Sequence, residues 1–248
     1  MRTIRLYHSE QINCGAVTVL SAESSNHLIR VLRSKVNTPV VLFNGDGFDY
    51  QCKTFDTNSK KTQVLVETKL KNDNESSIKI TLIQGLSRSD RMEATIQKSV
   101  ELGVNKIIPV ICQRSNLKSN NEKLTKKLNH WKKIALSACE QSNRCVIPEI
   151  TDIFLFSDIK KITKQNIFNI ALDPTAKTSI NDLKKKQAEL PDNAINIFIG
   201  PEGGFNDDEI NLLENGNVHR VLFGPRVLRT ETAGPAAISA LQILWGDF

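Results

Sequence analysis

A chain of 248 residues with 40% hydrophobic content can bury one large core or two modest ones, and its apolar runs fall far short of the roughly 20 residues of a spanning helix, so no membrane partner is expected. Five scattered cysteines (Cys14, Cys52, Cys112, Cys139 and Cys145) have neither CxxC spacing nor paired histidines nearby, which argues against a zinc site and a disulfide framework, and no metal is expected. A net charge of +6 and a pI of about 9.0 suit a polyanionic partner without requiring one, and with no apolar stretch behind the N-terminus the expected location is the cytoplasm.

Basic charge is concentrated at the start: residues 1–72 carry ten Lys/Arg against six Asp/Glu, and residues 73–248 carry 23 against 21. That first part reads as short strands between turns, over 40–43, 48–55 and 62–70, with Asn44-Gly45-Asp46-Gly47 and Asn58-Ser59 between them, the pattern of a small β-barrel. One helix interrupts it, starting near Ser21 or Ser24, with Leu28, Val31 and Leu32 on one face and His27, Arg30 and Arg33 on another. The polar stretch 71–77 is the expected linker, dividing the chain into domains 1–72 and 73–248. Beyond it come a strand over 78–83, a helix over 89–102 closed by Gly103, a buried strand over 107–112 and a long helix over 121–142. In the long helix Leu124, Leu128 and Trp131 supply a buried side to the Lys-rich stretch 118–133. Strands over 167–172, 195–199 and 218–223 are each followed by a loop and a helical pattern, so the second domain is expected to be α/β with a mainly parallel sheet.

Two of these strands run into Gly-Pro loops. The first enters Gly200-Pro201-Glu202-Gly203-Gly204, after which Asn206 and Glu209 form an N-cap pair opening the next helix. Open α/β sheets bind ligands at such strand ends, and glycines there let backbone amides approach a flat ligand; a tight strand-to-helix turn is the plainer alternative. Neither GxGxxG nor GxxxxGK[ST] is present, so neither a dinucleotide fingerprint nor a P-loop is supported. The second strand enters Gly224-Pro225-Arg226-Val227-Leu228-Arg229-Thr230-Glu231-Thr232-Ala233. Arg229 and Glu231 are polar groups where site residues tend to sit, a surface ion pair being the alternative. His130 and His219 have no metal-ligand pattern and are read as structural.

GPEGG at 200–204, GPRVLRTETA at 224–233, KSVELGVNKIIPV at 98–110 and SACEQSNR at 137–144 together resemble the SPOUT-class family that methylates uridine N3 in small-subunit ribosomal RNA. HLIRVLR at 27–33, followed by the Asn44–Gly47 turn, is similar to that family's N-terminal barrel, so the resemblance covers nearly the whole chain. It implies a PUA-like, RNA-binding β-barrel and a C-terminal α/β domain threaded into a deep trefoil knot around S-adenosylmethionine, the methyl donor. It further implies a homodimer acting on 16S ribosomal RNA near the decoding region of the assembled small subunit. A catalytically inactive RNA-binding or assembly factor and a SPOUT ribose 2′-O-methyltransferase are the alternatives. The sequence departs from the family pattern twice. Asn143 stands where glycine is usual, in a turn that Asn can hold at positive φ. Gly234-Pro235 replaces helix formers, which fits if the last helix begins around Thr232.

The donor site so implied comprises Leu172, Gly200, Pro201, Glu202, Gly203, Leu222, Gly224, Val227, Leu228, Arg229 and Thr232. Methyl transfer from a sulfonium is an in-line displacement, and loss of the weakly acidic N3 proton leaves an anion to stabilise. Arg229 is the candidate for that stabilisation; Glu231 and Glu202 are candidate bases that could instead bind donor hydroxyls or cap a helix. For RNA phosphates the candidates are Arg2, Arg5, Arg30 and Arg33 in the first domain and Arg88, Arg91, Arg114 and Arg144 in the second.

Overall fold

The computed structural model describes residues 3–115, 121–163, 167–186 and 190–248; Arg2 and residues 118–120 of the Lys-rich stretch lie outside the described residues. Backbone contacts divide the chain into two units, Met1–Glu75 with Cys139–Ile147, and Ser76–Ala138 with Pro148–Phe248.

The first unit holds β1 (Ile4–Tyr7), β2 (Val17–Val19), β3 (Pro39–Phe43), β4 (Phe48–Thr54) and β5 (Gln63–Lys71), in the sheet order β1-β3-β4-β5-β2. The β1–β3 pair is parallel and the others are antiparallel. The turn between β3 and β4 forms as its composition dictates: Gly45 and Gly47 take φ of +97° and +88°, which glycine adopts without a Cβ penalty. Leu28, Leu42, Val64 and Val66 are fully buried in the core of this unit. Among the described residues no ladder joins β1 to β2, so the sheet is open where the sequence suggests a barrel; β2 is only three residues long and pairs with β5 alone.

Ser21 caps α1 (Ala22–Asn26) by accepting the Ser24 N–H, and a π turn, His27–Val31, follows. Of the face expected to be buried, only Leu28 is; Val31 is 62% exposed and Leu32 42%. The Leu32 N–H reaches back five residues to the His27 carbonyl (3.0 Å), so the α-helical period that would bring the three side chains together is broken here.

Residues 139–147 complete this unit. Asn143 takes φ +62°, the left-handed conformation expected of it, and its carbonyl accepts from the side chains of Asn72 and Asn74. Arg144 is 3% exposed and grips the Glu75 carboxylate through Nε and Nη2, the shortest contact being 2.6 Å. Arg5, 7% exposed, donates to Asp49 (2.7 Å) and to the Arg144 carbonyl (3.2 Å). Both arginines are expected from sequence at RNA phosphates. The structure corrects that: burial makes an unpartnered guanidinium costly, and the carboxylates within reach commit these two to the fold.

The second unit comprises β6 (Lys79–Gly85), α2 (Ser89–Glu101), β7 (Lys106–Ile111), α3 (Asn121–Ser142, whose last turn belongs to the first unit), β8 (Glu149–Ile150), β9 (Phe154–Leu155), β10 (Phe168–Leu172), α4 (Ile180–Lys186), β11 (Ala194–Ile199), α5 (Asp207–Asn215), β12 (His219–Val221) and α6 (Thr230–Trp245). The strands are ordered β12-β10-β11-β6-β7-β8, with β9 also on β7, and every pairing is parallel. Their near-continuous apolar runs suit strands covered on both faces. Gly103, at φ +91°, follows α2 as expected. The last helix starts at Thr230, two residues before the expected Thr232, so Pro235 falls at the sixth helical position, where its ring removes the N–H that would reach the Glu231 carbonyl. No helix among the described residues is long and apolar enough to cross a membrane.

Candidate active site

At the carboxyl ends of β10, β11 and β12 the chain leaves the sheet through three loops that line one cleft of about 610 Å³. Leu172, Ile199, Ile210, Leu222, Leu228 and Ala233 give it apolar walls; Asp173, Glu202, Asp207, Arg91, Arg114 and Arg229 supply charge. Volume and lining are those of a small-molecule site.

Local sequence explains how the middle loop folds. A Cβ on Gly200 would lie 3.2 Å from Gly204 Cα and from Phe205 N, so the loop closes tightly on itself, with the Gly204 N–H on the Pro201 carbonyl (2.9 Å) and Gly204 at φ +69°. Behind it, a Cβ on Gly85 would come within 2.5 Å of Pro201 N, so β6 must end in glycine for the loop to seat. The N-cap pair read from the sequence is present: Asn206 Oδ1 accepts from Glu209 N (2.8 Å) and Glu209 Oε2 from Asn206 N (2.9 Å). The other Glu209 oxygen accepts from Gln113 N (2.7 Å), tying in the loop after β7. From that same loop Arg114 donates to the carbonyls of Gly203 (3.0 Å) and Phe205 (3.1 Å).

Charge at the rim is shared among four side chains. Arg91 stands 3.4 Å from Glu202 and 3.9 Å from Glu231, and Arg229, mostly in solvent, is 4.0 Å from Glu231. Glu202 Oε1 also accepts the Arg88 N–H (3.0 Å). On the far wall, burial pushes the Asp173 carboxyl up, but hydrogen bonds from Thr175 N and Oγ1 and from Arg220 Nε (2.6 Å) outweigh it and hold the group below the ordinary carboxylate value. Below the rim the Thr230 hydroxyl donates to the Gly200 carbonyl (2.7 Å) and accepts from Gln84 Nε2 (2.9 Å).

Of the donor-site residues expected from sequence, Leu172, Gly200, Pro201, Glu202, Gly203, Leu222, Gly224, Val227, Leu228 and Arg229 lie along this cleft. Thr232 does not line it: the early start of α6 leaves it exposed on the first turn and brings Thr230 to the cleft. Glu231 also lies outside the lining, beside Arg91 and Arg229. Among the basic candidates Arg91 and Arg114 line the cleft, the Arg88 side chain is exposed, and Arg30 and Arg33 are exposed in the first unit. Sequence reasoning missed Asp173, Thr230 and Gln84. A third strand-end loop could have been suspected at Asp173-Pro174, whereas nothing marks Gln84 within Ile78-Lys79-Ile80-Thr81-Leu82-Ile83-Gln84 as more than part of a strand. Among the described residues no group of three His, Cys, Asp or Glu could hold a metal ion.

Residues 74–242 match the family model of the RNA methyltransferase domain, and residues 20–67 that of the RNA methyltransferase PUA domain. The ribosomal RNA small subunit methyltransferase E of Buchnera aphidicola (subsp. Schizaphis graminum) is 35% identical over 246 residues, 99% of this chain and 98% of the relative. This chain belongs to the ribosomal RNA small subunit methyltransferase E family. Two solved structures superpose on the whole chain. The Neisseria gonorrhoeae methyltransferase E bound to S-adenosyl methionine superposes with a TM-score of 0.91 at 34% identity, with 100% of both chains covered. A Legionella pneumophila protein described as a methyltransferase, in complex with bound SAM, superposes at 0.93 with 36% identity and the same coverage. In this family member, then, the cleft lies inside the segment that matches the RNA methyltransferase domain.

Proposed function

We propose that this chain transfers the methyl group of S-adenosylmethionine to N3 of a uridine near the decoding region of 16S ribosomal RNA, within the assembled small subunit. The observation that carries this reading is the single cleft built by three strand-end loops inside the methyltransferase match. Its residues fit such a donor. The apolar walls suit an adenine, the Gly200–Gly204 loop lets backbone approach closely, and Glu202 Oε2 is a buried acceptor with no hydrogen-bond partner among the described residues.

The donor supplies an electrophilic methyl carbon: its S–C bond breaks as the N3–C bond forms, and sulfur leaves as a neutral thioether. The chain's part is to hold the acceptor in line and manage one proton and one developing charge. Arg229, at the rim and mostly in solvent, can approach the carbonyl oxygens flanking N3 as negative charge gathers there. Glu202 and Glu231 are the nearby carboxylates able to take the N3 proton.

The first unit, Met1–Glu75 with Cys139–Ile147, which contains the expected domain 1–72, is assigned to RNA binding, and the rest of the expected domain 73–248 to catalysis. The PUA match and the exposed Arg30 and Arg33 support the first, with Arg88, Arg91 and Arg114 adding phosphate contacts beside the cleft. Family membership supports a C-terminal chain threaded as a deep trefoil knot. The same membership supports a homodimer working in the cytoplasm. Nucleoside mass spectrometry of ribosomal RNA from a deletion strain tests the reaction. Loss of 3-methyluridine, restored by the wild-type gene, is expected; retained 3-methyluridine, or loss of a ribose-methylated nucleoside instead, refutes it.

A further inference from the structure

The two Gly-Pro loops of the cleft are successive strand ends, and one buried polar chain that begins far upstream, in β6, ties them together. Gln84, the penultimate residue of β6, is fully buried; its Nε2 donates to the Gly85 carbonyl (3.1 Å) and to Thr230 Oγ1 (2.9 Å). Thr230 Oγ1 in turn donates to the Gly200 carbonyl (2.7 Å). The direction of this chain is fixed by chemistry. A hydroxyl has one proton and a carbonyl can only accept, so Thr230 spends its proton on Gly200 and must accept from Gln84, which has to present its amide nitrogen. Both amide protons are then used, and Gln84 Oε1 is left buried with no hydrogen-bond partner among the described residues. Leucine at this position would bury without such an orphan but would give up both of these donated hydrogen bonds.

Gly200 begins one loop, and Thr230 begins α6 directly after the other. Between them stand glycines that supply no stiffness of their own, with Gly204 and Gly224 both at positive φ. We infer that Gln84 and Thr230 are positioning residues whose hydrogen-bond relay fixes the spacing of the two loops, so that the adenosyl donor meets a preformed site. This rests on the donor-site reading of the cleft. A relay of this kind acts on ligand affinity by sparing the loops an ordering step at binding, whereas a merely structural contact would act on the melting temperature alone.

The test compares wild type with Thr230→Val, Thr230→Ser and Gln84→Met, by calorimetric titration with S-adenosylmethionine, donor and RNA KM values, and melting temperature. Thr230→Val keeps the shape and loses the hydroxyl; Gln84→Met keeps the length and loses the donor. Both are expected to weaken S-adenosylmethionine binding about tenfold, as the loss of one net hydrogen bond from a preformed loop would. The donor KM should rise in parallel while the RNA KM stays near that of the wild type, and Thr230→Ser should recover most of the affinity that Thr230→Val loses. Binding within about twofold of wild type in both variants would overturn the relay. So would a Thr230→Ser protein as weak as Thr230→Val. If Thr230→Val does not fold, Gln84→Met decides by the same criterion. Failure of the wild type itself to bind S-adenosylmethionine would overturn both the relay and the functional reading beneath it, whereas normal wild-type binding with unaffected variants overturns the relay alone.

Discussion

Arg229 stands at the cleft rim with its guanidinium 4.0 Å from Glu231 and 77% of its side chain in solvent. An ion pair so exposed contributes little to stability, so its removal reports on chemistry. Arg229→Ala is expected to lower kcat by about 10²–10³, the usual effect of deleting one donor to a developing anion, with an unchanged melting temperature. Turnover on isolated small subunits measures this, and a wild-type kcat would take Arg229 out of the mechanism. Other single residues mark the limits of what the sequence discloses. Asn206 and Glu209 were legible as a cap because the chemistry is local, three residues apart, and Asn143 was legible because few other side chains tolerate its φ. Arg5 and Arg144 were not. Their partners, Asp49 and Glu75, lie 44 and 69 residues away, and only the folded chain decides whether a guanidinium ends at solvent or at a buried carboxylate.

Elements were found where hydrophobic period and punctuation agreed. Strands β6, β7, β10 and β11 announced themselves as apolar runs, and α2 by its spacing and by Gly103, whereas the two-residue β8 and β9 carry no such run. The period failed at His27–Val31, because a π turn changes which residues share a face, and no propensity encodes it. Nor could periodicity place β10 between β11 and β12, since strand order is set by long-range pairing. Helix α6 carries a second anomaly beside Pro235. A Cβ on Gly234 would sit 3.6 Å from Gln84 Oε1 and from both Leu82 methyls, ordinary van der Waals contact. Gly234→Ala should therefore add about 0.5–1 kcal/mol through helix propensity and lower unfolded-state entropy, seen as a higher urea midpoint. A lower midpoint would mean that α6 sits too tightly on β6 to admit a methyl group.

At the scale of the molecule, pH acts through the few groups whose affinity for protons changes on folding. Burial lowers the His8 pKa below its ordinary 6.5, outweighing the pull of Glu10. Between that lowered value and 6.5 the unfolded chain binds more protons, so His8 makes stability rise with pH. Glu140 acts the other way: burial raises its pKa above 4.5 despite the Tyr7 N–H, so its contribution is present below 4.5 and lost as pH rises through the folded value. For Asp46 and Asp173, burial is outweighed by hydrogen bonds, from Tyr50 in one case and from Thr175 and Arg220 in the other. Both sit below 3.8, and their contribution goes only as pH falls through their folded values. The urea midpoint of His8→Gln should consequently gain less than that of wild type as pH rises towards 6.5; equal gains would exclude the buried imidazole as the cause. The discontinuous make-up of the first unit also bears on how the protein is made. Its second piece ends at Ile147, 72 residues after Glu75. At synthesis rates of about 5–20 residues per second, Tyr7 must wait roughly 7–27 s for Glu140, 133 residues on, and Arg5 about as long for the backbone of Arg144. During that interval the nascent first unit has all five strands but lacks the segment 139–147, and Arg5 has only Asp49 and the Phe43 ring, without the Arg144 carbonyl.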